Sequence, residues 1–216
     1  MKVMDKKVCF GLIVATRGFF NPVLAGTARQ QLLELLDELA IEYVIGSEDA
    51  TPHGAVENLG HAKIYAKLFR ENAERIDGVL VILPNFGDEL GVVQTLDMAR
   101  LNVPVMVQAC NDEVDKVGVF SRRDAFCGKL SVCNNLYQYN ISFTDTTFHT
   151  CDIKSQAFRG DLDRFARICR TVKGLTHARI GAIGARPAAF QTVRYSEKLL
   201  QSAGITIVPV DLSEIF

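Results

Sequence analysis

No run of apolar residues in this chain approaches the length of a membrane span. The longest unbroken one is Val79-Leu80-Val81-Ile82-Leu83, whereas a spanning helix needs about 18 or more. No charge of one sign is in excess. The 24 basic and 25 acidic side chains give a net charge of −1, without the basic face or tail that nucleic-acid binding requires. No pair of the six cysteines, at 9, 110, 127, 133, 151 and 169, has CxxC spacing, so neither a thiol redox motif nor a zinc ribbon is read here. A disulfide framework is not expected in a chain with its own core. The start, Met1 to Lys7, carries lysines but no long apolar region followed by a small-residue cleavage site. Together these absences point to a reduced, cytoplasmic protein with no membrane and no nucleic-acid partner.

Phosphate-binding and nucleophile motifs are missing too. Gly181-Ala182-Ile183-Gly184-Ala185-Arg186-Pro187 has the flavour of a nucleotide loop, but lacks GxGxxG, GxxxxGK and a suitably placed lysine. It reads more simply as a strand, a glycine turn and the start of a helix. His53 and His61 are eight residues apart, not the four that places two ligands on one helical face. His149, Cys151 and Asp152 fit a polar loop better than a cation site, and no nucleophile elbow occurs. The residues themselves therefore nominate no metal ligand and no catalytic residue.

What the 216 residues do contain is 48% apolar side chains, enough for a core of one large domain or of one domain and part of another. Apolar runs alternate with segments of helical period. Val8–Ala15, Glu42–Ile45, Gly78–Leu83 and Val103–Ala109 read as strands. Helices are expected over 23–39, 55–75, 89–100, 124–139 and 161–172. In the first of these Leu32, Leu33, Leu35, Leu36 and Leu39 share a face; in the second Ile64, Leu68 and Ala73 are expected inside. Ile141–Phe143 is expected as a further strand. A fresh βαβ follows, with strands over 179–183 and 205–210 around a helix over 190–203, and another helix expected at the chain end. Continuous apolar strands in βαβα order indicate a parallel sheet with helices on both faces, a Rossmann-like or flavodoxin-like α/β fold. The closing βαβ cannot complete a core alone. The expectation is a first α/β domain over 1–175 and the opening of a second over 176–216, within a longer polypeptide.

Open sheets of this kind bind ligands beyond the carboxyl ends of their strands. That singles out Thr16–Asn21, Ser47–His53, Pro84–Glu89 and Cys110–Asp115. Arg17 has a fork of donors for hydroxyls or anions, and a neighbouring phenylalanine can stack on an apolar sugar face. Phe19 and Phe20 also fit plain packing between helix and sheet, with Arg17 a solvated turn charge. Asp88 and Glu89 suit a helix start as well as the border of a pocket.

Ile13 to Asn21, Asn85-Phe86-Gly87-Asp88-Glu89, Asp124 to Ser131, and above all Arg179 to Thr192 with Val210 to Ile215 resemble the L-fucose isomerase and L-arabinose isomerase family. The resemblance implies the N-terminal portion of a metal-dependent aldose–ketose isomerase, an intramolecular oxidoreductase. It implies a small-molecule sugar as substrate and a homo-oligomer, trimer or hexamer, for the full-length protein. It implies manganese or another divalent metal held by later domains, none on this segment, which alone would be inactive. On this reading Arg17, Phe20, Asn21, Asn85, Phe86 and Asp88 contact or enclose the substrate, and the segment serves pocket closure and assembly. The competing reading is a non-catalytic sugar or small-anion binding module of flavodoxin-like fold; the missing phosphate loops make a nucleotide-dependent enzyme a poor third.

Overall fold

The computed structural model describes residues 7–216; the lysine-bearing start, residues 1–6, lies outside the described residues. Two compact units are present, one ending at Cys169 and one running from Arg170 to Phe216.

The first unit is a five-stranded parallel sheet in the order β2-β1-β3-β4-β5. Its strands are β1 (Cys9–Val14), β2 (Glu42–Val44), β3 (Gly78–Leu83), β4 (Val105–Ala109) and β5 (Thr144–Asp145). The connecting helices are α1 (Val23–Glu38), α2 (Leu59–Glu71), α3 (Glu89–Ala99) and α4 (Ala125–Gln138), followed by α5 (Gln156–Thr176). β1, β3 and β4 are buried along their whole length, which is why their sequences run apolar without alternation. Their alternate side chains nevertheless supply two separate cores. Ile13, Val81 and Val107 meet Tyr65, Phe69, Val92 and Leu136 on the α2/α3/α4 face. Phe10, Leu12, Leu80 and Met106 meet Leu32, Leu36, Phe158 and Phe165 on the α1/α5 face. Helices therefore cover both faces, as the flavodoxin-like pattern requires. Among the described residues no helix is long and apolar enough to cross a membrane.

Several boundaries differ from the sequence expectation. α2 starts at Leu59, not Ala55, because Val56 bridges to Ala15 in parallel and Asn58 caps the helix by accepting from the His61 N–H at 3.0 Å. Its buried face is Ala62, Tyr65, Ala66 and Phe69. Ile64 is 43% exposed, Ala73 lies on the surface and Leu68 is only partly buried. The expected strand at Ile141–Phe143 is not one. Asn140 takes φ 56° just beyond α4, Ile141 N–H donates to the Leu136 carbonyl at 2.9 Å, and Ile141 packs on the core. That is a left-handed helix stop with its usual apolar contact, and it pushes the edge strand to Thr144–Asp145. There the fully buried Lys129 of α4 donates to Thr146 Oγ1 at 2.7 Å and to the His149 carbonyl at 2.9 Å, and it pairs with Asp145.

In the second unit β6 (Arg179–Ile183) pairs in parallel with β7 (Thr206–Val210) as a separate two-stranded sheet. The helix expected over 190–203 is a 3₁₀ turn at Gln191–Val193 and a short α6 (Glu197–Ser202). Ser196 breaks the run by capping α6, its hydroxyl accepting from the Leu199 N–H at 3.3 Å. The chain end forms only a 3₁₀ turn, Leu212–Glu214, inside a capping box set by Asp211. No residue from Arg170 onward is buried, and Ile183 and Leu199 are among the exposed apolar side chains.

Candidate functional site

In the strand order found here, the chain leaves β1 toward β2 on one side and enters β3 on the other. The loops at their carboxyl ends diverge there, opening the crevice where sheets of this type hold ligands. One loop carries Thr16 to Asn21, the other Pro84 to Asp88, and a single amide ties them together. Asn85, fully buried, donates through Nδ2 to Thr16 Oγ1 at 2.8 Å and accepts from the Gly87 N–H at 3.0 Å through Oδ1. Gly87 sits at φ +71°, a conformation that a side chain would strain. The turn brings Asp88 to the N-cap of α3, where Oδ1 accepts from the Gly91 N–H at 2.6 Å.

On this frame lies a stack of charge and aromatic rings. The Arg17 guanidinium is 4.5 Å from the Phe86 ring centre and pairs with Glu89 in the first turn of α3. Phe86 stacks on Phe20 at 6.1 Å and 16° between planes, and Phe20 meets Phe19 edge-on at 5.6 Å. Arg122 approaches from the far side, 5.9 Å from the Phe19 centre and 5.8 Å from that of Phe20. All three Arg–ring contacts are in the range where a ring quadrupole attracts a cation. Burial pushes the Asp88 carboxyl above its ordinary pKa, opposed by the Gly91 N–H and the Arg17 charge.

The structure thus gathers Arg17, Phe20, Asn85, Phe86 and Asp88 in one crevice, in different capacities. Arg17, Phe86 and Asp88 are half-buried and reachable by a ligand; Phe20 is buried under Phe86 and holds it in place. Asn85 fixes the two loops. Asn21 stands apart: its Oδ1 accepts from the Val23 N–H at 3.0 Å and starts α1.

Two participants escaped the sequence reading. Arg122 arrives from a distant loop, with no local signal to announce it. Gly128 lies in the first turn of α4, where a Cβ would strike the Phe86 carbonyl oxygen and stand 2.5 Å from its carbon. Only the glycine permits the helix to pack this close to the Phe86 backbone.

An arginine–carboxylate pair laid on an aromatic face suits a polyhydroxylated ligand: the charged groups exchange hydrogen bonds with hydroxyls, and the ring covers a C–H face. Among the described residues, no three His, Cys, Asp or Glu side chains gather where a metal ion could be held.

Comparison with known proteins gives the family of the chain. No curated protein sequence matches this chain. One solved structure similar to this chain is an ABC-transporter periplasmic solute-binding protein from Actinobacillus succinogenes 130z with bound D-allose. It is 10% identical, with a TM-score of 0.31, and the match covers 95% of this chain but 59% of that one. The family described as "Fucose/sulfoquinovose isomerase, N-terminal domain" matches residues 11–176, which include both loops of the crevice and all five strands from Gly11 onward. The chain belongs to that fucose/sulfoquinovose isomerase family, whose N-terminal domain it carries.

Proposed function

We propose that this chain supplies one wall of the sugar pocket of a metal-dependent aldose–ketose isomerase and helps to assemble its homo-oligomer, a trimer or hexamer. The observation that carries the proposal is the Arg17–Glu89 pair lying on Phe86 at the β1/β3 crevice. Arg17 donates to sugar hydroxyls, Glu89 and Asp88 accept from them, and Phe86 covers the apolar face of the sugar. Phe20 and Asn85 position these groups, and the closed wall keeps water from the reacting carbons.

Moving hydrogen between adjacent sugar carbons needs a base that takes a proton and an acid that returns one. The side chains in the crevice are already engaged in an ion pair, a helix cap and loop bonds, an arrangement suited to binding and orientation. The manganese implied by the family resemblance finds no ligand set among the described residues. Its donors, and the proton shuttle, belong to other parts of the full-length protein.

Arg17→Ala in the full-length isomerase tests the reading. Loss of a charge-assisted hydrogen bond costs about 1.5–3 kcal/mol, or roughly 10- to 100-fold in sugar affinity. Sugar affinity and turnover both unchanged would sink the proposal, while an intact pocket in the isolated 216-residue chain would favour the binding-module alternative.

A further inference from the structure

Beyond the end of β4, the chain meets the segment leading into α5. Cys151 N–H donates to the Ala109 carbonyl at 2.9 Å. The same bond in the body of the sheet, Val79 N–H to the Pro104 carbonyl, accompanies the pairing of Val79 with Val105. By analogy, the Cys151 bond sets its backbone beside the Ala109–Cys110 peptide, in the manner of a neighbouring strand. Parallel neighbours lie about 4.7–4.9 Å apart, inside the 4.4–6.8 Å range between Cα atoms that a disulfide spans.

The two thiols also share a face. Both pack in the core between the sheet and α1/α5. Gln108, two residues before Cys110, reaches both residues: Nε2 is 3.9 Å from the Cys110 sulfur and donates to the Cys151 carbonyl at 2.6 Å. Access comes from a cleft of about 260 Å³, lined by Cys110 with Thr27, Gln31, Arg123 and Asp152. Both cysteines are free thiols here.

We infer that Cys110 and Cys151 form a reversible, oxidisable pair, closed to a disulfide by exchange with a small organic disulfide. The Cys110 thiolate attacks one reagent sulfur, breaking the reagent S–S bond, and the first reagent thiolate leaves and takes up a proton. Cys151 then loses its proton and attacks the Cys110 sulfur, expelling the second reagent thiol. Two protein thiols are oxidised to one disulfide, and one reagent disulfide is reduced to two thiols. The bond would close the stretch between residues 110 and 151, which holds Arg122 and α4, into a loop. Burial sets the pace: it pushes Cys110 up to about 11 and raises Cys151 as well, so exchange is slow at neutral pH.

The test uses the 216-residue chain carrying Cys127→Ser, which removes the exposed competing thiol, with hydroxyethyl disulfide as reagent. After alkylation and digestion without reductant, one cross-linked peptide joining Cys110 to Cys151 is expected, and dithiothreitol reverses it. The rate should rise about tenfold per pH unit below the Cys110 pKa. Adding Cys151→Ser should convert the product to a mixed disulfide at Cys110. Separate reagent adducts on both cysteines, a link to Cys133, or no reaction at either cysteine would overturn the inference.

Discussion

Replacing Gly128 by alanine puts a methyl carbon 2.5 Å from the carbonyl carbon of Phe86 and 2.6 Å from its Cα. Carbon atoms pack best at about 3.5–4.0 Å, so a shift of roughly 1 Å is needed. The obstacle is backbone on both sides, and the Phe86 turn is pinned by the two Asn85 hydrogen bonds. Overpacking of this kind costs about 1–3 kcal/mol, and the upper end is expected because no flexible side chain can yield. Gly160 in α5 is the control, since nothing lies within 4 Å of its added Cβ. There the same substitution should stabilise by about 0.5–1 kcal/mol, the ordinary gain of alanine over glycine inside a helix. Urea unfolding of both variants, at unchanged m-value, reads the two signs directly. In the full-length protein Gly128→Ala should also weaken sugar binding, because the displaced Phe86 ring no longer lies under Arg17. Gly128→Ala within about 0.5 kcal/mol of the parent, or no different from Gly160→Ala, would refute the argument.

Asn85→Ala leaves the buried Gly87 N–H without its acceptor, a loss of about 1–3 kcal/mol; a fall below about 0.5 kcal/mol in urea titration would mean the loops do not depend on this amide. Acid should loosen the contact of α1 with α5 and with Lys154 just before it. Hydrogen bonds from Lys154 and Arg159 hold Glu34 and Glu38 below their ordinary value of 4.5, so the unfolded chain binds more protons as pH falls. Their contribution is present in full above 4.5 and lost as pH drops through the lowered folded values. Acid titration should be shallower in Glu38→Gln, and 1 M salt should shrink the difference; an identical profile for the variant would count against the pairing.

The sheet and the location of the crevice were legible in sequence because both rest on short-range signals. Val79 to Leu83 is a short apolar run rich in β-branched residues, as a doubly covered strand requires, and the glycine and acidic pair behind it mark a turn into a helix. Asp88 behaved as its position suggested, as the cap of α3. The errors came where distant residues decide. Ile141 reads as a strand residue, yet Asn140 in a left-handed conformation turns it into the stop of α4. The edge strand forms instead at the polar pair Thr144–Asp145, where Lys129 from inside the unit pairs with Asp145 and donates to the next residue, Thr146. Arg17 reads in sequence only as a loop cation; its partners, Glu89 and the face of Phe86, lie some seventy positions away. Phe19 and Phe20 were indistinguishable in sequence, and packing separates them: Phe20 is 5% exposed and Phe19 57%.

The brevity of β2 and β5, three and two residues, also bears on how the first unit behaves in a crowded solution. An incoming strand gains its hold from an unbroken row of free amides and carbonyls, and neither margin offers more than a few. Two such units meeting edge to edge cannot zip into a continuous ribbon, so cross-β growth has no template on this sheet. The five-residue β6 and β7 each keep a longer outer margin unpaired among the described residues. In the isolated 216-residue chain, fibre formation under stress should therefore nucleate between residues 179 and 210, with Pro209 acting as a built-in interruption on β7.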